Sequence, residues 1–212
     1  MATTHGLAGL LLGAVLSFVA PEQAPTLMLA GLAGGLAPDA DLYAGHRRTL
    51  HFPVYGSVLA VAIVGLALFT SIPAILGLAA FVAAAALHAV TDVLGGGLEL
   101  RPWQAGSERA VYSHYHGQWL APRRVIPYDG SPRDLSLALA LGLPALVMTQ
   151  GVLRVGVAGA LLVSIGYTLL RKRLASIATM IVGLLPQEVT PYVPDRYCVG
   201  GNSQATSASR RR

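Results

Sequence analysis

Pro38-Asp39-Ala40-Asp41-Leu42-Tyr43-Ala44-Gly45-His46-Arg47-Arg48-Thr49-Leu50-His51 is a polar stretch set between two uncharged ones, residues 26–37 and 53–70. Two carboxylates and two imidazoles fall within it, beside a pair of arginines. Neutral imidazole and carboxylate are the ligands that zinc, iron and manganese accept. The stretch therefore reads as part of a metal site at the point where apolar segments leave a membrane.

The flanking runs decide the fold class. Of the 212 residues, 54% are apolar and only 12% are charged, with a mean hydropathy of +0.58. Soluble domains carry about 25% charged residues, so the chain reads as an all-α, polytopic transmembrane bundle. Residues 6–20 and 26–37 are apolar but shorter than the ~20 residues that cross a bilayer core. They are expected as tilted short spans or as a helical hairpin packed inside the protein. Residues 53–70 and 72–94 are longer and read as a transmembrane hairpin turning at Ser71 and Pro73. Residues 135–152 and 155–170 form two more spans, with Arg171-Lys172-Arg173 ending the second. Residues 174–185 form a separate short apolar segment at or in the interface.

Between these spans, residues 95–134 open on Gly95-Gly96-Gly97 and hold both tryptophans, His114 and His116. They read as an ordered interfacial loop, with short strands around Val111 and Val125. A single helical membrane domain over 1–199 follows: a metal-site part (1–94), the loop (95–134) and C-terminal helices (135–185). Residues 200–212 read as a disordered basic tail. The N-terminus lacks the charged start and cleavage site of a secretory signal, so residues 6–20 are expected in the mature protein. The lone Cys198 has no internal partner for a disulfide.

The net charge of +5 is almost wholly arginine, Lys172 being the only lysine. In a soluble chain that excess would point to nucleic acid; at the ends of apolar runs it reads as membrane orientation, and no nucleic-acid partner is expected. If each run crosses once, residues 38–52, 95–134 and 171–173 share one side, which collects ten of the fifteen basic residues. The positive-inside rule makes that side cytoplasmic, in a cytoplasmic membrane. His5, Asp39, Asp41, His46, His51 and Asp92 fall at that side's ends of their segments, with His88 one turn deeper. His88 and Asp92, four apart, share a helix face. A divalent cation would compensate several carboxylates at once and bring a bound water toward a pKa of ~7. Asp39 or Asp41 could act as general base, and Arg47 could hold an anionic substrate.

The N-terminal His5, the Pro38-Asp39-Ala40-Asp41 block, His46-Arg47-Arg48-Thr49-Leu50-His51 and His88-Ala89-Val90-Thr91-Asp92 together resemble the family of predicted membrane-bound metal-dependent hydrolases. That family includes a LexA-associated bacterial inner-membrane protein. The resemblance covers about residues 3–102. It implies a helical membrane protein with a divalent-metal site and zinc-dependent, phospholipase C-like chemistry. Its motif residues fall on His5, Asp39, Asp41, His46, His51, His88 and Asp92. The family often reads His-Arg-Gly-x-Thr-His where this chain has His46-Arg47-Arg48-Thr49-Leu50-His51, so the threonine is displaced.

Each residue also has a bland reading. Asp39 after Pro38 suits a helix cap or an Asx-turn, Arg48 a positive flank, and His88 with Asp92 a hydrogen-bonded helix end. His114 and His116 read as a solvated loop, and Gly31, Gly34 and Gly35 as room for close helix packing. The expected function is a membrane-embedded metal-dependent hydrolase of phosphoester or lipid-linked substrates, with zinc the first choice of metal. His5, His51, His88 and Asp92 are the preferred ligands, with Asp39 as ligand or base. His46 is a further candidate ligand, with Asp41 and Arg47 as catalytic or auxiliary groups. The alternative is a non-catalytic scaffold or ion-handling protein whose polar cluster is structural.

Overall fold

The computed structural model describes residues 1–197. Six helices dominate it: α1 (Ala2–Leu16), α2 (Ala24–Leu36), α3 (Pro53–Thr70), α4 (Pro73–Thr91), α5 (Pro132–Met148) and α6 (Gly151–Gly183). Proline opens most of them. Pro25, Pro53, Pro73 and Pro132 stand at the first helical positions, where a missing N–H costs nothing and φ is already helical.

α1 and α2 form a hairpin held backbone to backbone. A Cβ on Gly31 would collide with the carbonyl of Gly9, and one on Gly35 with the carbonyl of His5. Gly34 meets α4 in the same way, at the carbonyl of Phe81. The glycines of α2 thus serve close packing, as their spacing implies. α4 lies against this hairpin and is the innermost long helix, 39% buried where α3 and α6 are each 17% buried. Its inner face is alanine: Ala79, Ala80, Ala84, Ala86 and Ala89 are all buried. α3 folds back on α4 after Ser71, which closes the helix in the left-handed region at φ 52°.

α3, α4 with its short C-terminal extension, and α6 are long and apolar enough to cross a membrane. Their outward faces carry large bare side chains, Phe69 at 93% and Val152 at 90% exposure among them. Apolar surface on that scale is the sign of a lipid-facing or partner-facing wall rather than of a water-facing one.

Two expectations change. The basic triplet at 171–173 does not end a helix: α6 runs unbroken through it to Gly183. Arg171 is buried and turned inward, donating from Nε and Nη2 to Asp129 and from Nη2 to Leu100 O, so the charge is paired and the helix continues. In the loop, β1 (Val111–Ser113) pairs antiparallel with β2 (Gln118–Leu120), Tyr112 opposite Trp119. The strand expected around Val125 is instead irregular chain, beside Arg124 at φ 53°. The tail at 200–212 lies outside the described residues.

Candidate metal centre

Asp39, His51, His88 and Asp92 meet at one end of the bundle, each offering one ligand atom within 4.8 Å of the other three. Three elements deliver them. Asp39 lies on the 3-10 turn that follows α2, where Pro38 has no N–H to continue the helix. His51 lies two residues before Pro53 opens α3. His88 and Asp92 come from the last turn of α4, one face apart by four residues.

The imidazoles are aimed by their far nitrogens. His88 Nδ1 lies 2.6 Å from Gly35 O. A carbonyl only accepts, so Nδ1 carries the hydrogen and Nε2 is the nitrogen that faces Asp39 and Asp92; in the neutral ring it would present a lone pair to an ion. His51 repeats the arrangement, its Nδ1 donating to Asp41 Oδ2 at 3.1 Å. Both Nε2 atoms are buried with no hydrogen-bond partner among the described residues, and Asp92 Oδ2 has only the ion pair to Arg47 Nε at 3.1 Å. Such atoms are costly unless something else satisfies them.

Their spacing says what would. His51 Nε2 is 3.3 Å from Asp92 Oδ2, and His88 Nε2 is 3.5 Å from both Asp92 Oδ2 and Asp39 Oδ1. These are long for hydrogen bonds. Ligands bound tetrahedrally at about 2.0–2.1 Å lie ~3.3–3.4 Å from each other. The three separations lie near that value and all the others within 4.8 Å, so the four residues could hold a metal ion. Asp39 and Asp92 bring two negative charges to the group, the second shared with Arg47.

Asp41 is not one of the four. It is 1% exposed and organises the stretch that carries them. Its Oδ1 accepts from His46 Nδ1 at 3.0 Å and Arg47 N at 3.3 Å, and its Oδ2 accepts from Leu50 N at 3.1 Å and His51. Burial pushes its carboxyl up, but the Leu50 N–H and the two histidines outweigh that and hold it below the ordinary range. Asp39 behaves likewise. Burial raises it, the bond to His88 lowers it further, and it stands at about 2. Both are carboxylates at neutral pH.

The other candidates surround the four. His5 stacks on His88, ring centres 3.9 Å apart. Thr91 Oγ1 spends its hydrogen on Leu87 O, so His5 Nε2, 3.3 Å away, is the donor to it. The group of four thus contains Asp39 and not His5, whose Nδ1 is itself buried with no hydrogen-bond partner among the described residues. His46 is turned to Asp41 and stays out of the four; burial, then Arg47, lowers its pKa. Arg47 is already engaged, its Nε 3.1 Å from Asp92 Oδ2 and its Nη1 donating to Gly96 O at 2.9 Å. Arg48 lies over the Tyr112 ring. His114 donates to Arg48 O and stacks on Phe52, and His116 bonds Ser113; neither approaches the four.

Sequence reading missed two supports. Gly35 holds His88 through its carbonyl, which only the glycine run hints at. Asp134, whose N–H donates to the Ser131 hydroxyl that caps α5, accepts from Thr4 Oγ1 at 2.6 Å and from Gly130 N at 2.8 Å, and so fixes the start of α1 under His5.

No family model, curated protein or solved structure matches the chain. What fold and site define together is a helical protein with membrane-span-like helices and a buried Asp-His-His-Asp group able to hold a metal ion.

Proposed function

We propose that the chain is a membrane-embedded metal-dependent hydrolase, with zinc as its ion and a phosphoester or lipid-linked compound as substrate. One observation carries the reading: the unpartnered Nε2 atoms of His51 and His88 converge with two carboxylates at ligand spacing. A divalent cation there would polarise a phosphoryl oxygen and lower the pKa of a bound water toward ~7. Tetrahedral two-nitrogen, two-oxygen donor sets with short bonds suit zinc better than the oxygen-rich cages of calcium or magnesium.

The residues divide the remaining work. Asp39 is the least enclosed of the four, its side chain 28% exposed where those of His51, His88 and Asp92 are nearly closed off. With His51, His88 and Asp92 as the protein ligands, a fourth position would be open to water, and Asp39 is the group placed to take its proton at the mouth of the site. Arg47 holds Asp92 and keeps that carboxylate oriented. Asp41 fixes the tautomer of His51. The excess of arginine at this end of the bundle supports a cytoplasmic orientation in the cytoplasmic membrane.

A structural polar cluster without catalysis is the second reading. It is favoured by Arg47, whose guanidinium neutralises part of the Asp92 charge with no ion. Metal analysis of the purified full chain separates the two, followed by assay of a phosphoester and phospholipid panel with and without chelator. The hydrolase reading expects about one ion per chain, lost in His88→Ala and Asp92→Ala, and chelator-sensitive turnover. Metal-free protein, or metal with no turnover across the panel, leaves the structural reading standing.

A further inference from the structure

Tyr112 and Trp119, paired across the β1–β2 hairpin, begin a run of rings that reaches α3. Trp119 lies 5.5 Å from Tyr112, Tyr112 5.1 Å from His114, and His114 4.7 Å from Phe52, centre to centre. Phe52 stands one residue before α3, and Tyr115 at the hairpin turn meets Tyr55 of the first helical turn at 6.1 Å. The opposite face of β1 is inside, with Val111 and Ser113 fully buried. The hairpin is fastened to the segment that delivers His51: Tyr112 N donates to Arg47 O at 2.9 Å, and His114 Nε2 donates to Arg48 O at 2.7 Å. Two guanidiniums lie over the outer rings, Arg48 over Tyr112 and Arg109 over Trp119. Around them Tyr43, Leu50, Tyr55 and Tyr115 are exposed. Residues 42–55 hold no acid, and within 105–120 the single acid, Glu108, is paired with Arg124.

We propose that the outer face of this hairpin, with the 42–50 turn beside it, is a docking surface for the anionic lipid headgroups of the leaflet around the start of α3. Two features select this partner. The first is continuity with the apolar wall of the bundle. Tyr55 begins the outward face of α3, which goes on through the bare side chains of Val58, Val61 and Phe69. The 18 residues of α3 rise about 27 Å, close to the ~30 Å hydrocarbon core, so a spanning α3 puts Tyr55 and the adjoining Tyr115 at its boundary. Tyrosine and tryptophan rings, apolar in body and polar at one edge, are suited to that depth. The second feature is charge. Arg48 and Arg109 stand over the rings with no unpaired carboxylate on these two segments to repel an acidic headgroup, and basic side chains at a leaflet surface draw acidic lipid toward them. The docking surface goes beyond the hydrolytic reading and does not depend on it; it requires only that α3 lie in a bilayer.

The test uses the full chain with Cys198→Ser and Gln118→Cys, the latter at an exposed position of β2 that carries an environment-sensitive dye. The protein is placed in nanodiscs of equal parts phosphatidylcholine and phosphatidylglycerol. A trace of spin-labelled lipid with one headgroup or the other, its nitroxide near the glycerol, quenches the dye only when it lies beside the hairpin. Both lipids are expected to quench, the phosphatidylglycerol about two- to fivefold more strongly. Raising the salt concentration, which needs no further variant, should shrink that excess. Arg48→Gln combined with Arg109→Gln should bring the two lipids level, while Arg48→Lys with Arg109→Lys should keep the excess, with melting temperatures showing that each protein is folded. Absence of quenching by either lipid overturns the proposal and leaves the face to water or a protein partner. Equal quenching by the two lipids before the arginines are changed also overturns it, as does an excess that survives in the folded glutamine variant. None of these measurements involves metal or turnover, so failure of the hydrolytic reading leaves them unmoved, and a failed quenching test leaves that reading where it stood.

Discussion

Asp41 shows how much one buried carboxylate decides. It accepts four hydrogen bonds, two of them from imidazoles, and none of its capacity is left for a metal. Its effect on the centre passes through His51, whose Nδ1–H it holds so that Nε2 faces the other ligands. In Asp41→Asn the amide can offer a hydrogen where an acceptor is needed, and the His51 ring loses its fixed tautomer. The expected result is metal affinity weakened about 10–100-fold, read by competition with a chromogenic chelator; unchanged affinity would show that His51 is not a ligand. Asp39, His51, His88 and Asp92 were legible in the sequence because their spacings put them at one end of their segments. His5 was not separable from them. Sequence gives its depth along α1 but not which ring nitrogen carries the hydrogen, and that depends on Thr91, eighty-six positions away. The role of Arg47 was hidden for the same reason, since its partners Asp92 and Gly96 belong to another element.

At the level of elements, the apolar runs and prolines foretold α3 and α4 almost to the residue, because proline sets a helix start by its own chemistry. The continuity of α6 was not legible: Arg171-Lys172-Arg173 reads as a stop until Asp129 is seen opposite Arg171. That contact joins the interfacial loop to α6, with Tyr167 also donating to Asp129. Burial pushes the Asp129 carboxyl up, but the chain's amino terminus and Arg171 outweigh it and hold it below the ordinary range. A lowered folded pKa means that the stabilisation is complete above the unfolded value of about 3.9 and is lost as pH falls through the folded value. The melting temperature of wild type should therefore drop below pH ~4 more steeply than that of Asp129→Asn. At pH 7 the variant should be less stable by roughly 1.5–3 kcal/mol, the worth of hydrogen bonds to a charged group. Parallel pH slopes for the two proteins would remove Asp129 from this role. The α1–α2 hairpin makes a second prediction. Gly31→Ala places a methyl group against the Gly9 carbonyl and should cost about 1–3 kcal/mol, whereas Gly156→Ala, with open space around it, should cost nothing measurable in the same thermal unfolding assay.

For the whole molecule, the ligand group is also a tie. Its members come from the turn after α2, the start of α3 and the end of α4, so an ion held there joins the α1–α2 hairpin to the α3–α4 hairpin at their common end. The contacts along the helices are apolar and could slide or splay; those at the ion could not. Anything that binds the folded state alone stabilises it by mass action, about 2.7 kcal/mol at a free concentration one hundred times the dissociation constant. For a domain of 150–250 residues each kcal/mol moves the melting temperature by roughly 2–4 °C. Chelating the metal from purified protein in detergent should then lower the melting temperature by about 5–10 °C, and returning zinc should restore it. His88→Ala should melt near the chelated wild type and respond to neither treatment. Asp129→Asn, which is outside the group of four, should be destabilised yet still respond to both, because its loss lies at the contact between loop and α6 and not at the ion. A chelator response equal in His88→Ala and wild type would place the bound metal elsewhere on the chain, and no response in either would leave the bundle held by packing alone.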